Sequence, residues 1–318
     1  MKRILALVLL LPCFALAQSY PTKPVHLVVG YPPGGAMDIL ARLIGDELTR
    51  ELGKPVIVDN RPGAAGTIAA DAVAKSPPDG YTLFITTAGL HGSDALIYKN
   101  LKYDAERDFS PITRLVKLPM ILAVDKDLGV RTVPELIALA KAQPGKLNYA
   151  SSGNVGSPHL AGGLFARITG VSMEHVPFKG GAPAVQSVIA GDTQLTFATA
   201  PSVVSFIENG RLLGLAVTSR NRSLALPSIP GMEEAGLKGY DLSFAYGLYA
   251  AGKPPAAVVE RLHQACVKVL AGPELKDKLA RQGMEAAPSA SPAEFLASAK
   301  RDGAQLAQLI RESGVKLE

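Results

Sequence analysis

The sequence predicts an α/β protein of two domains, each an open, mainly parallel sheet flanked by helices. Three observations carry this. Strand-like and helix-like segments alternate along the first two thirds of the chain, the β-α-β-α-β order occurs twice, and no low-complexity linker separates the two runs. The 318 residues also exceed what one hydrophobic core usually organises. Two such units without a linker suit domains joined by crossing strands rather than beads on a string. The expected division is a leader over 1–17, a first domain over 18–115 together with 220–318, and a second over 116–219.

The leader rests on local chemistry. Met1-Lys2-Arg3 is basic, residues 4–11 are an unbroken apolar run, and Ala15-Leu16-Ala17 has the small-x-small pattern of a signal-peptidase site. The run is about half the ~20 residues needed to span a bilayer. Cys13 raises a lipoprotein alternative, but Pro12 stands where that cleavage wants a small residue. Export with cleavage near Ala17 is therefore expected.

In the first unit, Val25-His26-Leu27-Val28-Val29 is nearly continuously apolar, as a parallel strand covered on both faces should be. A Gly/Pro turn comes next. Leu40, Leu43, Ile44 and Leu48 then mark one face of a helix that Gly53 can end as a left-handed cap. Residues 56–58 form the second strand, 67–75 a helix, and 83–85 the third strand, after the turn Pro77-Pro78-Asp79-Gly80. The second unit reads strand 120–124, helix to Lys141 from a Thr132/Glu135 capping box, strand 147–150, helix 158–168, strand 175–178, helix 182–190 and strands 195–197 and 213–217. Helices 256–270 and 274–282 come after it. A last helix opens on Ser291-Pro292-Ala293-Glu294 and ends near 313.

Composition excludes several classes. With 47% apolar and 19% charged residues the chain is a compact globular protein. Its net charge of +5 is dispersed without a Lys/Arg run, which argues against nucleic acid. No Cys/His spacing would hold a metal. After leader removal only Cys266 remains, so no internal disulfide forms. Cys266 shares a helix face with Val259, Leu262 and Val269 and reads as a buried core residue. G-x-G-x-x-G, G-x-S-x-G, P-loop and H-E-x-x-H motifs are absent. No cofactor is expected, and catalysis is not supported.

The informative features lie at the ends of the strands. Open α/β sheets bind ligands beyond the carboxyl ends of their strands. Four such ends carry small, Gly-rich or hydroxyl-bearing turns: Tyr31 to Asp38, Thr86-Thr87-Ala88-Gly89, Ser151 to Pro158, and Lys179-Gly180-Gly181. Three lead straight into a helix, whose unpaired N–H groups and partial positive charge hold an anion without any Arg. The alternative is ordinary turns and caps, since turns favour Gly, Ser and Asp anyway. Asp38 can either bond an amino or hydroxyl group of a ligand or complement the dipole of its own helix. His91 and His159 lie within reach of the cleft walls, though a lone histidine is more often structural.

In combination the motifs resemble the Bug-type periplasmic receptors of tripartite tricarboxylate transporters. The matching stretches include Tyr20-Pro21-Thr22-Lys23-Pro24, Pro32-Pro33-Gly34-Gly35 with Asp38, Asn60-Arg61-Pro62-Gly63-Ala64-Ala65-Gly66 and Pro78-Asp79-Gly80-Tyr81-Thr82-Leu83. Leu147-Asn148-Tyr149-Ala150-Ser151-Ser152-Gly153, Ser157-Pro158-His159-Leu160-Ala161-Gly162, Val176-Pro177-Phe178-Lys179-Gly180 and Leu215-Ala216-Val217-Thr218-Ser219 continue the match over essentially the whole mature chain.

The resemblance implies a two-domain Venus-flytrap fold of type II kind, a periplasmic location, and a small carboxylate ligand: a dicarboxylate, an amino acid or an aromatic acid. It implies a loop from each domain at the ligand. The first supplies Tyr31, Pro33, Gly34, Gly35, Ala36, Met37 and Asp38, and the second supplies Ser151, Ser152, Gly153, Asn154, Gly156, Ser157 and His159. Thr86, Thr87, His91, Lys179, Gly180, Thr199, Ala200, Pro201 and Ser202 would complete the walls. In the family the counterpart of Asp38 can contact an amino group. The implied partners are two membrane components of a transporter, or the sensor domain of a signalling protein, and the receptor is expected to be a monomer. Tyr246 where relatives often carry Trp, Ala198-Thr199 where many carry Asp-Asn, and Met37 where a small hydroxyl residue is common make this cleft more apolar.

Overall fold

Two sets of three parallel strands share one crossing strand. The computed structural model describes residues 20–91, 100–154 and 156–312. The expected leader and Cys13 lie outside them. In the first half, β1 (Val25–Val29) pairs in parallel with β2 (Val56–Asn60) and β3 (Thr82–Thr87). Helices α1 (Ala36–Leu52) and α2 (Thr67–Ala74) make the crossovers. Gly53, at φ 68°, ends α1 in the left-handed conformation that costs glycine nothing.

Strand β4 (Phe109–Asp125) then runs out of the first sheet into the second. The second half repeats the plan. Helix α3 (Val133–Ala142) precedes β5 (Asn148–Ser151), which pairs in parallel with β6 (Glu174–Pro177) and β7 (Leu195–Thr199). Helices α4 (Ser157–Thr169) and α5 (Gly181–Ile189) connect them. After α6 (Ala200–Glu208) and β8 (Leu212–Val217), the chain returns through β9 (Ser243–Ala251). It finishes with α7 (Ala256–Ala271), α8 (Pro273–Arg281), β10 (Glu285–Ala286) and α9 (Pro292–Glu312).

The strand order is β2-β1-β3-β9-β4-β7-β5-β6, with β8 and β10 also on β4. Both sheets are therefore mixed: the crossing strands add antiparallel pairs to each parallel trio. β9 and most of β4 carry weak sequence signals. β9 holds Ala245, Gly247, Ala250 and Ala251, which are poor strand formers on their own. The sequence predicts β4 only at 120–124, because Pro111 and Pro119 argue against a central strand. The structure accommodates both prolines at irregular places. Pairing with β9 shifts register between Pro111 and Thr113, and Pro119 is the last partner before Met120 switches to β7. Helix α6 likewise exceeds its sequence expectation, which is a turn.

The core lies on both sides of these sheets. Leu27, Leu40, Ile44, Leu83 and Leu248 are buried together in the first half, with Cys266 among them, its thiol pushed up to about 12 by burial. Leu122, Phe165, Phe197 and Tyr240 anchor the second. Residues 220–242 pack against the second half. Leu226 and Ile229 pack beside Val203, and Met232, Leu237 and Tyr240 join the second core, where the Tyr240 hydroxyl donates to the Ala161 carbonyl at 2.8 Å. This Pro/Gly-rich coil buries scattered apolar side chains without periodicity and leads into β9 at Ser243.

Helix α9 spans both halves. Phe295 packs on Tyr249 with ring centroids 5.0 Å apart, while Leu306 and Leu309 rest on the second core. Gly247 leaves the room that Phe295 fills: a Cβ there would stand 2.0 Å from Phe295 Cζ. Gly247→Ala should therefore lower stability by about 2 kcal/mol through overpacking, read as a melting temperature roughly 4 °C lower. An unchanged melt would mean that α9 is free to move. No helix among the described residues is long and apolar enough to cross a membrane.

Candidate functional site

Four helices begin at one cleft between the halves. They are α1 behind Gly35, α4 behind Gly156, α5 behind Gly180 and α6 behind Thr199. None of these residues caps its helix with a side chain: three are glycines, and the Thr199 hydroxyl bonds Ser202 Oγ at 3.1 Å instead. The first-turn N–H groups of a helix have no partner inside it. Four positive helix ends therefore face one cavity, an arrangement that favours anions.

The cavity, of about 100 Å³, takes Tyr31, Pro32, Pro33, Gly35, Ala36, Met37, Thr87 and Tyr246 from the first half. The second half supplies Ser152, Ser157, Pro158, residues 179–184, Thr196, Ala198, Thr199 and Ser202. Its charge is one-sided. Lys179 is the sole charged residue among the described lining, and no carboxylate is present there. The two halves touch across the opening, where Pro32 Cγ lies 3.6 Å from the position a Cβ on Gly180 would take.

Of the expected site residues, Tyr31, Pro33, Gly35, Ala36, Met37, Thr87, Ser152, Ser157, Lys179, Gly180, Thr199 and Ser202 line this cavity. Gly34, Asp38, Thr86, His91, Ser151, Gly153, Asn154, Gly156, His159, Ala200 and Pro201 do not. Strand alternation turns Thr86 to the face opposite Thr87. Ala200 is buried with Val203 and Leu226. His91 packs its ring 5.4 Å from that of Tyr249, and burial lowers its pKa to about 4.

Asp38 is a brace. The residue is 3% exposed, and its carboxylate accepts four hydrogen bonds. They come from Gly34 N at 2.9 Å and Arg42 Nε at 3.0 Å on one oxygen, and from Arg42 Nη2 at 2.9 Å and Asn60 Nδ2 at 3.0 Å on the other. Burial alone would raise its pKa, but these donors together hold it below the usual carboxylate value. The network fixes Gly34, which sits at φ 83°, and so aims the first turn of α1 at the cleft.

A second brace lies under the opposite loop. Ser151 Oγ is 2.6 Å from His175 Nε2 and also bonds the carbonyl of Gly153 at 2.9 Å. His159 stacks on His175 with centroids 3.6 Å apart and planes 13° from parallel. Burial lowers both histidines to about 4, and their mutual repulsion adds to the shift at His175. Ser151 is fully buried, so this Ser–His contact does not open onto the cavity.

Sequence reasoning missed Ala182, Pro183, Ala184 and Thr196. The first three stand just after a predicted helix start and were legible by the same rule. Thr196 needed the facing direction of β7, which only the fold supplies.

The chain is similar to known proteins over most of its length. The family model described as "Tripartite tricarboxylate transporter family receptor" matches residues 40–314. A "UPF0065 protein in tcbD-tcbE intergenic region" of Pseudomonas sp. (strain P51) is 37% identical over 270 residues, covering 85% of this chain and 80% of that protein. Among solved structures, R. palustris Rpa4515 with adipate superposes at a TM-score of 0.89 with 35% identity, covering 93% of this chain and 99% of that one. MatC of Rhodopseudomonas palustris with bound malate gives a TM-score of 0.83 at 27% identity, over 92% of this chain and 100% of that one. The two-domain α/β fold is that of periplasmic binding proteins, and the chain belongs to the tripartite tricarboxylate transporter receptor family.

Proposed function

We propose that this protein is an exported, non-catalytic receptor. It captures a small carboxylate between its two domains and presents it to the membrane components of a tripartite tricarboxylate-type transporter. The observation that carries the reading is the convergence of four helix starts without side-chain caps on one cavity whose sole charged residue among the described lining is Lys179. Adipate and malate in the two similar structures agree with it. We take the domains as 20–119 with 243–312, and 120–242, so that closure bends the chain at Pro119–Met120 and Leu242–Ser243. Thr218 ties the two crossings: its Oγ1 accepts from Met120 N at 2.8 Å and donates to the Leu242 carbonyl at 2.7 Å. The ligand favours closure by binding the closed state more tightly.

The test is a thermal-shift screen of the mature protein against small carboxylates, with recovery of the ligand unchanged. A ligand at 100 times its dissociation constant adds about 2.7 kcal/mol. Ala36→Pro sharpens the test. Proline is tolerated at the first helical position, and Gly35 before it is already extended (φ −83°, ψ 168°), so the variant deletes one cleft N–H and leaves α1 in place. Affinity should fall about tenfold, since a hydrogen bond to a charged group contributes about 1.5–3 kcal/mol. A silent screen, or wild-type affinity in Ala36→Pro, would sink the site.

A further inference from the structure

We propose that the cleft selects dicarboxylates that carry no amino group, and rejects the corresponding amino acids. This rests on the receptor reading above and adds the chemical class of its ligand.

Among its described lining residues the cavity offers an ammonium group no carboxylate partner. A carboxylate has about four lone-pair sites, and Asp38 has filled its own with Gly34, Arg42 and Asn60. It has nothing left to offer a ligand. Asp38 also lies outside the lining; none of the described lining residues carries a carboxylate, and the one charged group there is the cation Lys179. Four helix N-termini add further positive potential. An ammonium brought into this cavity loses water and meets charges of its own sign, and an unpaired buried charge is strongly disfavoured.

Donors, by contrast, are in surplus. The starts of α1, α4, α5 and α6 plus Lys179 offer more N–H groups than the roughly four acceptor positions of one carboxylate. They come from opposite walls: α1 from the first half, the other three and Lys179 from the second. The same lining carries apolar surface from Met37, Ala184, Ala198 and the Tyr246 ring. Two anionic ends on a short carbon chain match this pattern, and a single carboxylate leaves one wall unanswered.

The experiment is calorimetry on the mature protein with pairs that differ only in the amino group: succinate and aspartate, glutarate and glutamate, adipate and 2-aminoadipate. In the best-bound chain length, the amino-free member should bind at least 100-fold more tightly than its partner, and more tightly than the monocarboxylate of equal length. Ser202→Asp places a carboxylate at the cleft in the first turn of α6, where an acid suits the helix dipole. It should lower the discrimination tenfold or more by weakening the diacid and admitting the amino acid. Equal binding of both members of a pair, or tighter binding of the monocarboxylate, would overturn the inference while the receptor reading stands. Silence from every carboxylate would remove the receptor reading, and this inference with it.

Discussion

Gly180→Val should lose two orders of magnitude or more in ligand affinity while still melting cooperatively, a few degrees below the parent. Two effects act together. Gly180 sits at φ 120°, ψ 170°, a region essentially closed to other residues, so a side chain there costs about 1–3 kcal/mol of backbone strain. Its Cβ would already be in contact with Pro32, at 3.6 Å from Cγ and 3.7 Å from Cδ. The two further methyl groups of valine add bulk against Pro32 and Pro183, and relieving that crowding by moving Pro32 away opens the cleft. Gly34→Ala separates the effects. Gly34 has φ 83° but open space around a Cβ, so alanine adds strain without a clash. Calorimetry should give a much smaller affinity loss for Gly34→Ala than for Gly180→Val. Equal losses would mean that backbone strain, rather than contact between the halves, governs closure.

Acid should weaken the fold well above the carboxylate range. His91, His159 and His175 all have pKa values lowered by burial to about 4, against about 6.5 in the unfolded chain. Between these values the unfolded state binds protons that the native state refuses. Stability is therefore full above pH 6.5 and is lost progressively as pH falls toward 4. With the partial exposure of the three rings discounted, the melting temperature should drop by roughly 5 °C from pH 7 to pH 5. His175→Gln should flatten the slope, because it also removes the stacked neighbour of His159. A melting temperature flat between pH 7 and 5 would mean the rings already reach water.

Elements held by local interactions are legible in the sequence, and those held by distant ones are not. The parallel trios were legible, because strands such as Val25–Val29 announce burial on both faces through continuous apolar residues. Helix starts at Gly35 and Gly156 were legible because the turn chemistry is local. Strand β9 was not, since Ala and Gly become a strand only when β3 and β4 flank them on either side. Residues 220–242 gave no period and found their place through scattered contacts with the second core.

The candidate site divides the same way. Local sequence by itself determined that Gly-rich helix starts stand at strand ends in both halves, because backbone geometry within a few residues dictates what a turn and a cap require. Only the tertiary structure decided that three of those starts and the start of α6 face one cavity, that Thr87 and not Thr86 looks into it, and that Asp38 is saturated by Gly34, Arg42 and Asn60. A carboxylate's availability depends on every donor that reaches it. Asn60 arrives from the neighbouring strand of the folded sheet, beyond anything the spacing around Asp38 records.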